Sequence, residues 1–144
     1  MNLEYGPEYE DFRAEVIDFC KEYEGISFEN TSSKNVSRSE WQKILIERGF
    51  IARAIPKEYG GFGGETDIIK SRIIATEFSK AKIPGGMGGQ GIDMLVPTLL
   101  EWGPEEQKQQ YIQPTLHGEM IWCQGYSEPN AGSDLACLLY TSDA

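Results

Sequence analysis

The chain has 144 residues, 40% of them hydrophobic, with a formal net charge of −10 and an isoelectric point near 4.6. That is material for one domain of ordinary size; no run approaches the ~20 apolar residues of a membrane helix, and no Lys/Arg cluster exists to displace counterions from nucleic acid. The start, MNLEYGPEYEDF, lacks the basic and apolar regions of a secretory signal, which implies a soluble, cytoplasmic protein. Cys20, Cys123 and Cys137 are odd in number and form no CxxC, and the single histidine supplies no His pair, so disulfide and metal readings both fall.

In chain order the patterns are helical. Phe12, Val16, Phe19, Cys20 and Tyr23 recur as the seam of an amphipathic helix over Pro7 to Tyr23, with Pro7 suited to its first position. The polar stretch ISFENTSSKNVSRSE predicts a loop. A second helix follows in SEWQKILIERGF, where Ser39 and Gln42 have the form of a capping box, Trp41, Ile44, Leu45 and Arg48 mark one face, and Gly49 stops it. FIARAIPKEYGGFGGE brings Pro56 and the close-set Gly60, Gly61, Gly63 and Gly64, the composition of a loop with unusual backbone angles. A third helix is expected from a Thr66 or Asp67 cap, with Ile69, Ile73 and Phe78 inward, fading by Pro84.

Gly86, Gly88 and Gly91 in PGGMGGQG match GxGxxG by letter. A dinucleotide fingerprint follows a strand, however, and this one follows a helix and a proline. The reading is a loop that lets a neighbouring group approach the backbone closely. Ile92, Leu95, Val96, Leu99 and Leu100 then space a fourth helix that Pro97 kinks or restarts. Gly103 ends it, Pro104, Glu105 and Glu106 open a fifth, and Pro114 is expected to close that one, leaving His117 solvent-exposed at a turn.

From Met120 the period changes. MIWCQGYSE predicts a strand and EPNAGSD a turn. A lone strand is not stable in water, which implies that a neighbour belonging beside it is missing. Cys123 reads as a small buried apolar residue. In the final loop, Pro129, Ala131 and Gly132 clear the way for backbone N–H groups to face an anionic ligand, with Ser127 and Ser133 as further donors. The same residues also make an ordinary tight turn in which Asn130 and Asp134 satisfy local backbone, and chemistry alone favours that.

The residues Ser127, Glu128, Pro129, Asn130, Ala131, Gly132, Ser133, Asp134 and Ala136 resemble the signature of the acyl-CoA dehydrogenase family. WQKILIERGF with PKEYGGFGG resembles that family's second helix and Gly-rich turn, and PTLLEWGPEEQKQQYIQPTLHGE its run toward the first strand. The resemblance spans about Ser39 to Ala136, and WCQGYSEP is closest to a bacterial branch acting on long, branched, dicarboxylic or sterol side-chain thioesters.

That resemblance implies a mainly α fold: the family's N-terminal helical domain over residues 1–119, then the first strand and loop of its middle β-domain over 120–136. It implies FAD as cofactor, acyl-CoA as substrate of an α,β-desaturation in fatty acid β-oxidation, and an electron-transferring flavoprotein as partner. It also implies a homo- or heterotetramer for the full-length protein. Carried over by position, Gln124, Gly125, Tyr126 and Ser127 would face the flavin and Gly132 and Ser133 the cofactor's pyrophosphate, Ser133 also facing the pantetheine of the CoA ligand. Gln124 departs from the pattern, where many members carry an aromatic residue. Tyr126 also reads as a packing residue, Ser127 as a turn-stabilising hydroxyl, and Glu128 as structural. No catalytic residue is assigned, since the family's glutamate base belongs to a C-terminal bundle. Enclosing only half of a site, this chain is expected neither to hold FAD firmly nor to turn over. Other readings are a non-catalytic helical binding or assembly module, or an acyl-CoA oxidase or flavin monooxygenase on the same scaffold. After Ala136 the family pattern breaks off in CLLYTSDA, whose codons can be written as the end of a transposase-based sequencing adapter, so residues 137–144 are expected to be a non-native tail.

Overall fold

The structure, a computed structural model, describes residues 6–28 and 36–125. Helix α1 (Pro7–Glu22) opens on Pro7 with Glu8 and Glu10 in its first turn, and buries Phe12, Val16, Phe19 and Cys20 along one stripe. Helix α2 (Arg38–Glu47) buries Trp41, Gln42, Leu45 and Ile46. Helix α3 (Ile68–Ala81) is capped by Asp67, whose carboxylate accepts from the amides of Ile69 and Lys70 at 2.9 and 3.0 Å. A π turn (Gly91–Leu95) leads into α4 (Val96–Trp102), and α5 (Glu105–Leu116) follows from Pro104. Pro97 sits in the first turn of α4, so it restarts the helix there instead of kinking it.

Two apolar clusters share α2 as their common wall. Leu45 faces the first, built with α1 and α3 around Phe19, whose ring stacks at 5.7 Å on Trp41 and 5.8 Å on Phe78 and meets Phe50 edge-on at 4.8 Å. Ile46, one residue on, faces the second, which gathers Tyr59, Val96, Leu99, Ile112 and Leu116 from the 3-10 turn (Lys57–Tyr59), α4 and α5. Each such side chain removed from water contributes about 1.5–3 kcal/mol, and α2 supplies buried side chains to both clusters.

Three local expectations differ from what forms. The capping box of α2 is Ser37 with Glu40, not Ser39 with Gln42: Glu40 N donates to Ser37 Oγ at 3.1 Å and Ser37 N to Glu40 Oε2 at 2.9 Å. Both pairs have the right spacing, but a carboxylate complements the helix N-terminus better than an amide. It also leaves Ser39 and Gln42 free for longer-range bonds. Pro114 does not close α5, which runs on to Leu116. The carbonyl left without its N–H partner is that of exposed Gln110, where water serves it, while buried Ile112, Thr115 and Leu116 hold the last turn in place. Finally, residues 121–125 form neither helix nor paired strand; the rest of the expected strand and loop lies outside the described residues. Backbone hydrogen bonds across a sheet need a neighbour.

The Gly-rich loop behaves as its composition suggests. Gly60 and Gly63 take φ of 82° and 72°, and a Cβ on Gly61 would collide with the Ile55 carbonyl. Arg53 ties the loop ends, donating to Gly49 O at 3.0 Å and Glu65 O at 3.1 Å.

Candidate functional site

After α5 the chain turns at Gly118 (φ 69°), and the amides of Glu119 and Met120 return to Pro114 O at 2.9 and 3.1 Å. This reversal carries Trp122 back over α5. Its Nε1 donates to Thr115 Oγ1 at 2.8 Å, the Thr115 hydroxyl donates in turn to Tyr111 O at 2.6 Å, and the indole meets the Tyr111 ring edge-on at 5.6 Å. The indole also lies on Gly91, where a Cβ would stand 2.5 Å from Trp122 Cδ1 and 2.8 Å from Thr115 Cγ2. Only hydrogen fits there.

A cleft opens on each side of Trp122. One, of about 240 Å³, is lined by Met87, Gly91, Thr115, Gly118 and Met120; the other, of about 230 Å³, by Gln90, Met94, Thr98, Cys123 and Gln124. Among the described residues no carboxylate, Lys, Arg or His lines either cleft, so these residues can bind and orient an uncharged, largely apolar group but supply no acid, base or nucleophile stronger than the Cys123 thiol. Among the described residues no three His, Cys, Asp or Glu side chains gather as metal ligands would.

Of the residues expected to bind cofactor, Gln124 lines the second cleft and Gly125 beside it is exposed, with nothing within 4 Å of a Cβ placed there. Tyr126, Ser127, Glu128, Gly132 and Ser133 lie outside the described residues. The structure corrects two neighbours. Cys123 is exposed rather than buried, because Trp122 takes the inward place in this extended passage. His117 is not solvent-exposed: its side chain is only 16% accessible, packed where the end of α5 meets the Gly-rich loop, and Ser39 Oγ donates to its carbonyl at 2.7 Å. Burial pushes its imidazole below the ordinary value and the Lys43 charge adds to this; Glu119, Glu47 and the Gly60 backbone pull upward without offsetting it.

The GxGxxG letters resolve into packing. The loop follows α3 and no strand, and Gly86 lies against Ile51 and Gln42 as Gly91 lies against Trp122, which is the close approach its sequence implied. Sequence reasoning missed Met87, Gly91 and Thr115 as cleft residues. The glycine excess was the one available signal. Elsewhere, the cavity of about 260 Å³ between α1 and α3 holds Glu77, already engaged by Arg13 and Lys80, and Cys20, whose thiol burial and then Glu77 push up, so nothing there is poised to react.

The described residues thus form a helical domain followed by a cleft-flanked passage at residues 121–125. Residues 6–119 match the family model for the N-terminal domain of acyl-CoA dehydrogenases. This chain belongs to that family. It is 36% identical over 106 residues to acyl-CoA dehydrogenase IpdE1 of Mycolicibacterium smegmatis, covering 74% of this chain and 26% of that protein. Against probable acyl-CoA dehydrogenase YngJ of Bacillus subtilis it is 32% identical over 135 residues, covering 93% of this chain and 35% of the relative. The ChsE4-ChsE5 complex of Mycobacterium tuberculosis superposes with a TM-score of 0.58 at 27% identity, over 94% of this chain and 34% of that one. The chain therefore spans about a quarter to a third of the length of the proteins it matches.

Proposed function

We propose that this chain is the N-terminal part of an FAD-dependent acyl-CoA dehydrogenase, with residues 120–136 opening its middle β-domain. The observation that carries the reading is the passage at Trp122: an anchored indole, uncharged clefts on both sides, and the exposed amide and bare backbone of Gln124 and Gly125 next in line. When bound, FAD supplies the acceptor for a hydride from the acyl β-carbon. The chain's own residues bind and orient. Gln124, Gly125, Tyr126 and Ser127 would hold the flavin ring, Gly132 and Ser133 the pyrophosphate, and Ser133 the pantetheine arm of an acyl-CoA. The apolar cleft walls exclude water from the thioester's alkyl part, which favours proton abstraction by a base located elsewhere in the full-length protein. An electron-transferring flavoprotein as electron acceptor, a homo- or heterotetrameric assembly, a place in fatty acid β-oxidation and a cytoplasmic location belong to the same reading. The names of the relatives support the dehydrogenase and the ChsE4-ChsE5 complex supports an assembly; among the described residues no helix is long and apolar enough to cross a membrane.

The test is a flavin titration of the 144-residue chain followed by flavin fluorescence. Weak, saturable quenching that Gln124→Ala and Ser133→Ala each reduce is the expected result. No quenching, or quenching that neither substitution touches, overturns the assignment.

A further inference from the structure

One wall of the cleft of about 240 Å³ is the glycine-rich loop between α3 and the π turn, a stretch with no helix or strand to hold it. Two consecutive residues of α2 hold it instead. Trp41 Nε1 donates to Pro84 O at 3.0 Å, and Gln42 Oε1 accepts from the Met87 amide at 2.7 Å. Both side chains are buried, Gln42 to 1% exposure. An amide at such a position costs desolvation that a Leu or Met of similar volume would not, so packing alone gives no reason for it. The bond also constrains its surroundings. A Cβ on Gly86 would stand 3.1 Å from Gln42 Oε1 and 2.8 Å from Ile51 Cδ1, so the loop comes within close reach of Gln42 where residue 86 has no side chain.

The same bond sets the next side chain. Met87 rests its thioether on Gly118, where a Cβ would meet Sδ and Cε at 2.6 Å, and both residues line the cleft. Unbranched and with several rotatable bonds, Met87 would otherwise sample many positions. We propose that Gln42 is a positioning residue for this cleft: by holding the Met87 amide it fixes Met87 against Gly118 and so sets the width of the slot offered to an apolar acyl chain. The ligand half of this proposal rests on the acyl-CoA reading above; the anchoring half does not.

The experiment compares the parent chain with Gln42→Met, which keeps the volume and loses the acceptor, Gln42→Glu, which keeps an acceptor, and Met87→Ala, which keeps the anchor and shortens the wall. Hydrogen exchange at the Met87 amide is expected to quicken roughly tenfold in Gln42→Met relative to Leu45 in the core, and to stay slow in Gln42→Glu. Binding of butanoyl-, octanoyl- and palmitoyl-CoA by calorimetry is expected to change in ranking by acyl length in both Gln42→Met and Met87→Ala. Unchanged Met87 exchange in Gln42→Met overturns the anchoring. An equal loss for all three thioesters, or a ranking that Met87→Ala leaves intact, overturns the control of width. If the parent chain binds no thioester, the acyl reading and the ligand half fall together while the exchange data decide the anchoring alone. Should Gln42→Met fail to fold, Gln42→Leu carries the exchange arm and Met87→Ala the binding arm.

Discussion

Glu77 is the buried charge of α3, its side chain 8% exposed, with Arg13 Nε and Lys80 Nζ each 2.9 Å from Oε1. Burial raises its carboxyl's pKa, but the bonds and charges of Lys80 and Arg13 outweigh it and hold the group below the ordinary value. Its contribution to stability is therefore complete above the unfolded carboxylate pKa and is lost as pH falls through the lower folded one. Glu77→Gln is expected to cost about 1–2 kcal/mol at pH 7, since Arg13 and Lys80 can turn to water, and to flatten the acid limb of a urea-denaturation series below about pH 4.5. His117 has the opposite charge type but the same sign of dependence. With the folded pKa depressed, the unfolded chain takes up the proton first, so stability begins to fall below about pH 6.5 and continues to fall until the folded imidazole also titrates. Melting temperatures measured from pH 7.5 to 5 should show a decline that His117→Gln removes. At Gly91, alanine would drive a methyl group into Trp122 and Thr115; a loss of about 1–3 kcal/mol in denaturation is expected, with the indole displaced and its fluorescence shifted to the red.

At the scale of elements α2 joins the two clusters, since Leu45 and Ile46 serve different clusters from neighbouring positions. Leu45 is fully buried, and Leu45→Ala is expected to cost 2–5 kcal/mol by the usual range for a core cavity. The two serines at its start separate two kinds of interaction. Ser37→Ala removes a local cap worth about 1 kcal/mol, whereas Ser39→Ala removes a tie from α2 to the His117 carbonyl at the end of α5. Denaturation of both, with hydrogen exchange at the C-terminal end of α5, should show loosening there for Ser39→Ala alone. The seam of α1, the Asp67 alternative for the cap of α3, and the Gly103-Pro104 break were legible because each is decided within one or two turns of chain. The passage of α5 through Pro114 was not, because it depends on what buries Ile112, Thr115 and Leu116.

On the scale of the molecule, apolar surface is left uncovered where the clefts lie and along α4. Ile121 is 88% exposed, Trp102 78% and Met94 52%, in a chain that covers only 26% and 35% of two relatives it matches. Such groups contribute little to this domain's own stability. Trp102→Ser with Ile121→Ser should leave the denaturation free energy within about 0.5 kcal/mol of the parent while lowering the binding of an apolar dye such as ANS.

What the sequence determined by itself is whatever a run of neighbouring residues decides: five helices, the break at Gly103-Pro104, the loop at Gly60 to Gly64, and the motif letters that mark the family. The tertiary structure decided that α5 runs on through Pro114, that His117 is half-buried and Cys123 exposed, and that Gly91 exists for Trp122. The physical reason is range. Propensity and periodicity act through bonds a few residues apart, whereas the ties that shape the cleft join residues 45 and 78 positions apart, Gln42 to Met87 and Ser39 to His117, and a linear pattern carries no signal for partners brought together only when the helices pack.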